Sequence, residues 1–372
     1  MRIAILGTRG IPSNYGGFEK SAEQLALGFA RRGHEVMVYN SHNHAYQKTH
    51  WNGIKLIHIH DPEYKFGSLG HYLYDYNCIK DLRNHDIDVV LQLGYTTSSI
   101  WNWMVPKKTA LITNLDGLEW KRKRYNPVVR KLIKLSERYT VTTSTHIIAD
   151  SIGIQDYLQG EYGKAALFIP YGAEMFSNPT AHFLKPYGLT ENGYNMFVGR
   201  IEEDNSIEVI LDGVVKSKSE MPFLVVGNHL SKLGSKLKHK YHEHKNILFL
   251  GSIYDNEKLN NLRYFSNLYF HGHTVGGTNP LLLEAMAAQS LIAAHDNDFN
   301  RLILEDDGFY FRCADDVAEQ ISQIKRSYRS HDTFITNNSK KILHTYNWQR
   351  IVDLYEAHFM KIVKQDLAFN AL

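Results

Sequence analysis

Short apolar runs recur along the chain, each followed by a stretch whose apolar positions return at helical spacing. That alternation predicts βαβ units built on parallel sheets. Ile3–Leu6 predicts the first strand, and a helix follows from about Phe18 to Arg32 with Ala22, Leu25, Ala26 and Phe29 on one face. Gly33 stands where a left-handed C′ residue would end that helix. Val36–Tyr39, Ile54–His60, Val89–Leu93, Ala110–Asn114 and Ile147–Ala149 predict further strands. Asn126 before Pro127 reads as an N-cap with proline at the first helical position, opening a helix to about Tyr139.

A second series begins after Phe168–Ala173. Its expected strands are Met196–Val198, Phe223–Val226, Ile247–Leu250, Leu268–His271 and Leu291–Ala294, with helices near Ser206–Val215, Glu257–Phe265, Pro280–Ala288 and Asp316–Ser327. A last amphipathic stretch, Trp348 to Lys364, carries Ile351, Leu354, Tyr355 and Phe359. The fold class expected is therefore α/β, with two doubly wound units joined near residue 172. A length of 372 residues fits two or three domains.

Composition narrows the functional classes. An apolar fraction of 43% excludes a disordered chain, and a net charge of +3 gives no argument for nucleic acid. No apolar run approaches the ~20 residues of a bilayer crossing. Met1–Leu6 resembles the start of a signal peptide but meets Gly7 at once, which favours a strand. Two cysteines, Cys78 and Cys313, are too few for a disulfide framework or zinc cluster and suit a reducing cytoplasm.

Four places carry candidate chemistry. The loop Gly7–Gly17, with Arg9, Gly16 and Gly17, brings backbone N–H groups to a helix start, as ligand phosphate or sugar would need. It has neither dinucleotide-fingerprint nor P-loop spacing, and a plain glycine-rich turn is an equal reading. Gly199-Arg200 ends a strand, where an arginine can grip a diphosphate or simply face solvent. His271–Asn279 runs straight into a helix at Pro280, so the amides of Gly277, Thr278 and Asn279 would face an anion and Glu284 would accept from ribose hydroxyls. Asp116, beyond a strand and next to Gly117, is a polar group for a reacting centre or an Asx-turn residue. His58/His60 and His271/His273 alternate on strands without a third ligand nearby, so no metal is expected and His271 and His273 are read as donor-site hydrogen-bonding groups. Lys121–Lys134 interleaves basic and apolar residues, which fits a solvated helix face or contact with anionic lipid headgroups.

Taken in order, these residues resemble a glycosyltransferase of family 4 with the GT-B fold, and within it a bacterial rhamnosyltransferase subgroup of surface-polysaccharide assembly. The resemblance rests on Gly7–Pro12 with Tyr15–Glu19, Asp116–Arg122, Pro170–Glu174, Val198–Glu203, His271–Pro280, Asp296–Arg301 and Tyr346–Arg350. It implies two Rossmann-like domains facing across a cleft: residues 1–171 receiving the acceptor, residues 172–347 binding the nucleotide sugar, and a final helix (348–372) packing back on the first. It further implies that Arg200 contacts the diphosphate, Thr278 and Asn279 the phosphates or sugar, Glu284 the ribose, and Gly16 and Gly17 the phosphates from the other side. Asp116 falls where many relatives place a histidine. Two positions depart from the usual pattern: Gly276 replaces the first of two glutamates, and Asn205 replaces a lysine five residues after the arginine. The rhamnosyl subgroup shares both changes, and Arg9 or Arg301 would be the compensating cations.

The expected reaction is transfer, with retention, of a sugar (L-rhamnose from dTDP-rhamnose as the first choice) to a saccharide or polyprenyl-diphosphate-linked acceptor. Asp116, Arg200 and Glu284 carry it, without metal or cofactor, in the cytoplasm or at the inner face of the plasma membrane. The rivals are another nucleotide-hexose donor, an epimerase or phosphorylase on the same fold, and a nucleotide-sugar-binding protein without activity.

Overall fold

The structure, a computed structural model, describes residues 1–13 and 17–370, with side chains up to residue 364. The chain divides into two compact units, each described here by itself. Unit 1 comprises Met1–Lys121, Tyr125–Tyr171 and Trp348–Leu372; unit 2 comprises Arg122–Arg124 and Gly172–Asn347.

Unit 1 holds an eight-stranded sheet. Its strands are β1 (Arg2–Leu6), β2 (Glu35–Ser41), β3 (His50–Trp51), β4 (Ile54–Ile59), β5 (Val89–Leu93), β6 (Ala110–Leu115), β7 (His146–Ala149) and β8 (Leu167–Phe168). They lie in the order β3-β4-β2-β1-β5-β6-β7-β8, parallel except for the β3–β4 pair. The helices of this unit are α1 (Gly17–Arg31), α2 (Glu63–Phe66), α3 (Ser68–Leu82), α4 (Pro127–Thr143), α5 (Ile152–Tyr162) and, at the end of the chain, a long helix Trp348–Asn370. Ile3–Leu6 of β1 and, but for Gln92, the whole of β5 read as apolar runs because helices cover both faces. Ile3, Ile5, Leu91 and Leu93 pack on one face with Ala22, Leu25, Ala26 and Phe29 of α1. Ala4, Leu6 and Val90 pack on the other with Tyr74, Cys78 and Ile79 of α3. Asn126 caps α4 as its sequence predicts, its side chain accepting from Val129 N at 2.9 Å.

The last helix belongs to unit 1 for identifiable reasons. Ile351, Val352, Tyr355, Phe359 and Ile362 join the core under α1, and the Phe29 and Phe359 rings lie 5.4 Å apart. Asn114 Nδ2 donates to Tyr355 Oη at 2.8 Å, and Glu356 meets Arg32 (2.8 Å) and His34 (2.7 Å).

Unit 2 holds a six-stranded parallel sheet: β9 (Asn195–Val198), β10 (Phe223–Val226), β11 (Ile247–Gly251), β12 (Leu268–His271), β13 (Ile292–His295) and β14 (Phe309–Phe311), ordered β11-β10-β9-β12-β13-β14. Its helices are α6 (Ile207–Lys216), α7 (Lys232–Lys240), α8 (Asn256–Tyr264), α9 (Pro280–Ala287), α10 (Asp298–Leu304), α11 (Ala314–Gln323) and α12 (Asp332–His344), which makes the terminal helix α13. The helix expected over Asp316–Ser327 starts and stops earlier. Asp316 sits at its third position, accepting from the Cys313 and Arg312 amides, and Ile324 is already extended. Both units are Rossmann-like, as the alternating pattern predicts.

Candidate active site

In an open parallel sheet, the loops on either side of a reversal in strand order splay apart and leave a crevice beyond the carboxyl ends. Unit 2 reverses at β9, with β10 on one side and β12 on the other. Gly199 and Arg200 follow β9, and Gly272 to Asn279 follow β12, so most of the predicted donor-site residues gather at one sheet end. The Arg200 side chain is 44% exposed and only loosely paired, with Glu202 Oε1 at 3.7 Å.

The two loops are tied to each other. Asn205 Nδ2 donates to the Arg200 carbonyl at 2.7 Å, and Asn205 Oδ1 lies 3.0 Å from His273 Nδ1. The Asp204 carbonyl accepts from both Thr274 N and Thr274 Oγ1 at 2.9 Å. Gly272 makes this approach feasible, because a Cβ there would lie 1.9 Å from the Asn205 carbonyl oxygen. Gly276 adopts φ +135°, and a Cβ on it would stand 3.0 Å from His273 Nε2. Asn205 and Gly276, the two positions at which the sequence departs from the pattern it otherwise resembles, therefore meet at one imidazole.

Electrostatics keep both histidines neutral. Burial, then His271, Arg122 and Arg200, hold His273 well below the usual imidazole range, against the Val275 carbonyl. Burial, aided by Arg263 and His295, pushes His271 down to about 3, and its Nε2 has no partner among the described residues. The His273 carbonyl accepts from Asn297 and Asn300 side chains at 2.9 and 3.1 Å, which fixes the loop after β12.

Asn279 begins α9 as an N-cap, its Oδ1 accepting from Leu281 N at 2.9 Å, with Pro280 at the first helical position. Its carboxamide oxygen serves the helix, which leaves Nδ2 for a ligand. Gly277 and Thr278 are buried at the same helix start. Glu284 lies one turn further on, in the second turn of α9, and is held by Arg263 Nη2 at 2.8 Å. Arg263 is 1% exposed and was not singled out by the sequence; a cation 21 positions away on another helix leaves no local signal. Arg301 is bonded to Asp296 and its guanidinium lies 4.1 Å from the Tyr310 ring centre, so it is an anchored cation rather than a free one.

Unit 1 reverses at β1, between β2 and β5. Beyond the carboxyl ends of β1 and β5 is a cavity of about 270 Å³, lined by Gly7, Thr8, Arg9, Phe18, Glu19, His71, Asp75 and the stretch from Leu93 to Ser98. A wider one of about 720 Å³ shares Arg9 and adds Asp61 and Glu63. Arg9 Nε is 3.5 Å from both carboxylates and the guanidinium is 4.8 Å from the Tyr74 ring centre. Gly17 is the first residue of α1, whereas Gly16 lies outside the described residues. Asp116 follows β6 and lines neither cavity. The sequence reading missed α3, hence His71 and Asp75.

Among the described residues no group of three His, Cys, Asp or Glu side chains could hold a metal ion. The basic segment divides in two. Lys134 turns inward, 3.0 Å from the buried Glu137 and 4.8 Å from the Trp120 ring centre, and Arg122 is buried within unit 2. Lys123, Arg124, Lys131 and Arg138 stay exposed, and Val128, Leu132, Leu135 and Tyr139 form an exposed apolar stripe along α4. Among the described residues no helix is long and apolar enough to cross a membrane.

Comparison with known proteins assigns the two halves separately. Residues 1–174 match a domain of unknown function, DUF1972, and residues 185–341 match the glycosyl transferases group 1 family. No curated protein matches the chain significantly. Among solved structures, sucrose-phosphate synthase from Thermosynechococcus elongatus is 16% identical with a TM-score of 0.80, covering 98% of this chain and 99% of that one. Anabaena HepE, solved in complex with UDP and glucose, is 14% identical with a TM-score of 0.76 over 97% of this chain and 100% of its own. A trehalose-phosphate synthase from Burkholderia xenovorans, in complex with glucose-6-phosphate, is 11% identical with a TM-score of 0.76 over 97% and 100%. The fold is GT-B, with two parallel-sheet Rossmann-like domains.

Proposed function

We propose, from the premise that this chain is a glycosyltransferase with a group 1 transferase domain at residues 185–341, that it moves a sugar from a nucleotide sugar to a saccharide hydroxyl. The observation that carries this reading is the convergence of Arg200, a neutral His273 and the start of α9 at the strand-order reversal of unit 2. An arginine charge and a helix N-terminus are the donors a leaving diphosphate requires, and both are in place before reaction. Glu284, oriented by Arg263, accepts from the ribose hydroxyls. The leaving phosphate takes the acceptor proton, so no strong protein base is needed and transfer proceeds with retention. Asp116 remains the polar group assigned to the sugar or acceptor.

The donor proposed is dTDP-rhamnose, on the strength of the family departures at Asn205 and Gly276. HepE, solved with UDP and glucose, makes UDP-glucose the second choice. A lipid-linked saccharide in polysaccharide synthesis is the acceptor proposed. The exposed stripe on α4, flanked by cations, supports contact with an anionic membrane surface. Thermal-shift titration of the full chain with dTDP-, UDP- and GDP-sugars, followed by nucleotide release with and without a saccharide acceptor, tests the reading. Saturable stabilisation by one donor and acceptor-dependent release are expected; no stabilisation by any nucleotide sugar would refute it.

A further inference from the structure

The cavity beyond β1 and β5 has a charge balance that speaks to its ligand. Asp75, on α3, is 4% exposed and lines it. Thr97 Oγ1 donates to one of its oxygens at 2.6 Å. Among the described residues no hydrogen bond reaches the other oxygen, so this carboxylate keeps acceptor capacity facing the cavity. Buried polar groups are rarely left unmatched without a reason. Gln92, which precedes the cavity-lining Leu93 on β5, is also fully buried, and neither atom of its amide is paired among the described residues.

The cations beside the cavity are already engaged. Arg9 Nε faces Asp61 and Glu63 at 3.5 Å, and His71 Nε2 is 2.9 Å from Glu63 Oε1. Glu19, which accepts from Arg9 N at 3.2 Å, and Asp75 line the cavity itself, so with Asp61 and Glu63 of the wider neighbouring cavity four carboxylates lie near one guanidinium and one imidazole. A phosphate group entering here would meet like charge, and Arg9, the guanidinium in the lining, is already shared between Asp61 and Glu63. A sugar ring meets the opposite situation, because its hydroxyls donate to carboxylate oxygens and its apolar C–H face can rest on Phe18. The volume, about 270 Å³, suits a single ring rather than a nucleotide.

We propose that this cavity is the acceptor site and that it selects an uncharged, hydroxyl-rich sugar residue while excluding a sugar phosphate. The inference rests on the transferase reading and deepens it by naming the acceptor class. It sets this chain apart from the trehalose-phosphate synthase of the same fold, which was solved with glucose-6-phosphate. Asp75 is the binding carboxylate, Thr97 holds it in place, and Glu19 is the second acceptor at the mouth.

The test is saturation-transfer NMR on the full chain with methyl glycosides of glucose, galactose, mannose, rhamnose and N-acetylglucosamine, against glucose-6-phosphate. Asp75→Asn and Glu19→Gln are measured beside the unmodified protein, and circular dichroism verifies that each is folded. At least one neutral glycoside is expected to bind, glucose-6-phosphate to bind roughly tenfold more weakly or worse, and each substitution to weaken the glycoside at least severalfold. Glucose-6-phosphate binding as tightly as the glycosides, glycoside binding unchanged in both variants, or silence of the whole panel would overturn the proposal. Nucleotide-sugar stabilisation, read in parallel, separates these outcomes from a failure of the transferase reading: an intact donor response with any of them condemns the acceptor site alone.

Discussion

His273 Nδ1 lies 3.0 Å from Asn205 Oδ1, and the orientation of that carboxamide fixes the tautomer of the ring. Asn205 Nδ2 is occupied by the Arg200 carbonyl, so the oxygen faces the imidazole and Nδ1 carries the proton. His273 Nε2 then points at the space that a side chain at 276 would occupy. A lysine at 205 could not accept from Nδ1, and a glutamate at 276 would collide with Nε2 on a backbone at φ +135°. Asn205 and Gly276 thus act on the same group, a neutral histidine.

That coupling makes a prediction about restoring the common residues. Gly276→Glu alone should destabilise the fold by about 1–3 kcal/mol through strain and contact with His273. Combined with His273→Ala, its cost should fall well below the sum of the two single changes, as neighbours sharing a contact do. Chemical denaturation of the three variants measures it, and simple additivity would show that the two residues do not communicate.

Arg200 tests the donor chemistry with little structural risk. Its side chain is half exposed and its nearest carboxylate is 3.7 Å away, so Arg200→Ala should leave the melting temperature within about a degree. If it receives the diphosphate, turnover should drop about a hundredfold or more, and Arg200→Lys should recover only part, since a point charge replaces a planar fork. Unaltered kcat in Arg200→Ala would assign the diphosphate to other groups.

Glu284 presents the opposite balance of stability and function. Arg263 is 1% exposed and Glu284 18%, so removing the arginine should cost up to about 3–5 kcal/mol, through the space it vacates as well as through the Glu284 charge it leaves only partly solvated. Arg263→Ala should therefore lower the denaturation midpoint strongly and weaken nucleotide binding too, although Arg263 touches the ligand only through Glu284. Loss of stability with unchanged nucleotide affinity would place the ribose elsewhere.

These residues also show what a sequence discloses about a site. The loops after β9 and β12 were legible because strands end in glycine, and Asn279-Pro280 is a local helix-start signal whose physics acts over a few residues. The α/β alternation was legible for the same reason, since buried parallel strands are short apolar runs. Helix α3 was not. Its buried face mixes Gly70 and Asp75 with Tyr74 and Cys78, so the apolar spacing that marks an amphipathic helix is broken where the chain carries a polar group into the cavity. The Asn205–His273 and Arg263–Glu284 contacts span 68 and 21 positions, and only tertiary structure brings them together.

On α4, Val128, Leu132, Leu135 and Tyr139 recur at helical spacing and remain exposed beside Lys131 and Arg138. Sedimentation with vesicles containing 30% phosphatidylserine should pull down the protein, whereas phosphatidylcholine vesicles should not; the fraction is about one third anionic so that cationic attraction is measurable. Leu132→Glu with Leu135→Glu should abolish it without affecting nucleotide binding. Equal recovery from both vesicle types would remove the electrostatic part of the reading.

Protonation should affect the two units in opposite directions. His271 is pushed down to about 3, so between the ordinary imidazole value of 6.5 and that point an unfolded chain takes up a proton that the native protein refuses. Stability then falls with acidification below pH 6.5, by about 1.4 kcal/mol per pH unit for this group. Asp75 is the reverse case. Burial raises its carboxyl to about 6, with Asp61 assisting and Thr97, Arg9 and His71 opposing. The native protein therefore holds a proton that the unfolded chain has lost above 3.8. The cost of ionising it grows as pH climbs from about 4 to 6 and is complete above that, on the order of 2–3 kcal/mol. Asp75→Asn should consequently raise the denaturation midpoint at pH 7.5 and change it little at pH 4, while weakening glycoside binding at pH 7.5, where the native group is an ionised carboxylate. A substitution that stabilises the fold yet empties the cavity is what a ligand-binding carboxylate held out of water predicts. Destabilisation at pH 7.5 would instead make Asp75 a structural group satisfied by Thr97 alone.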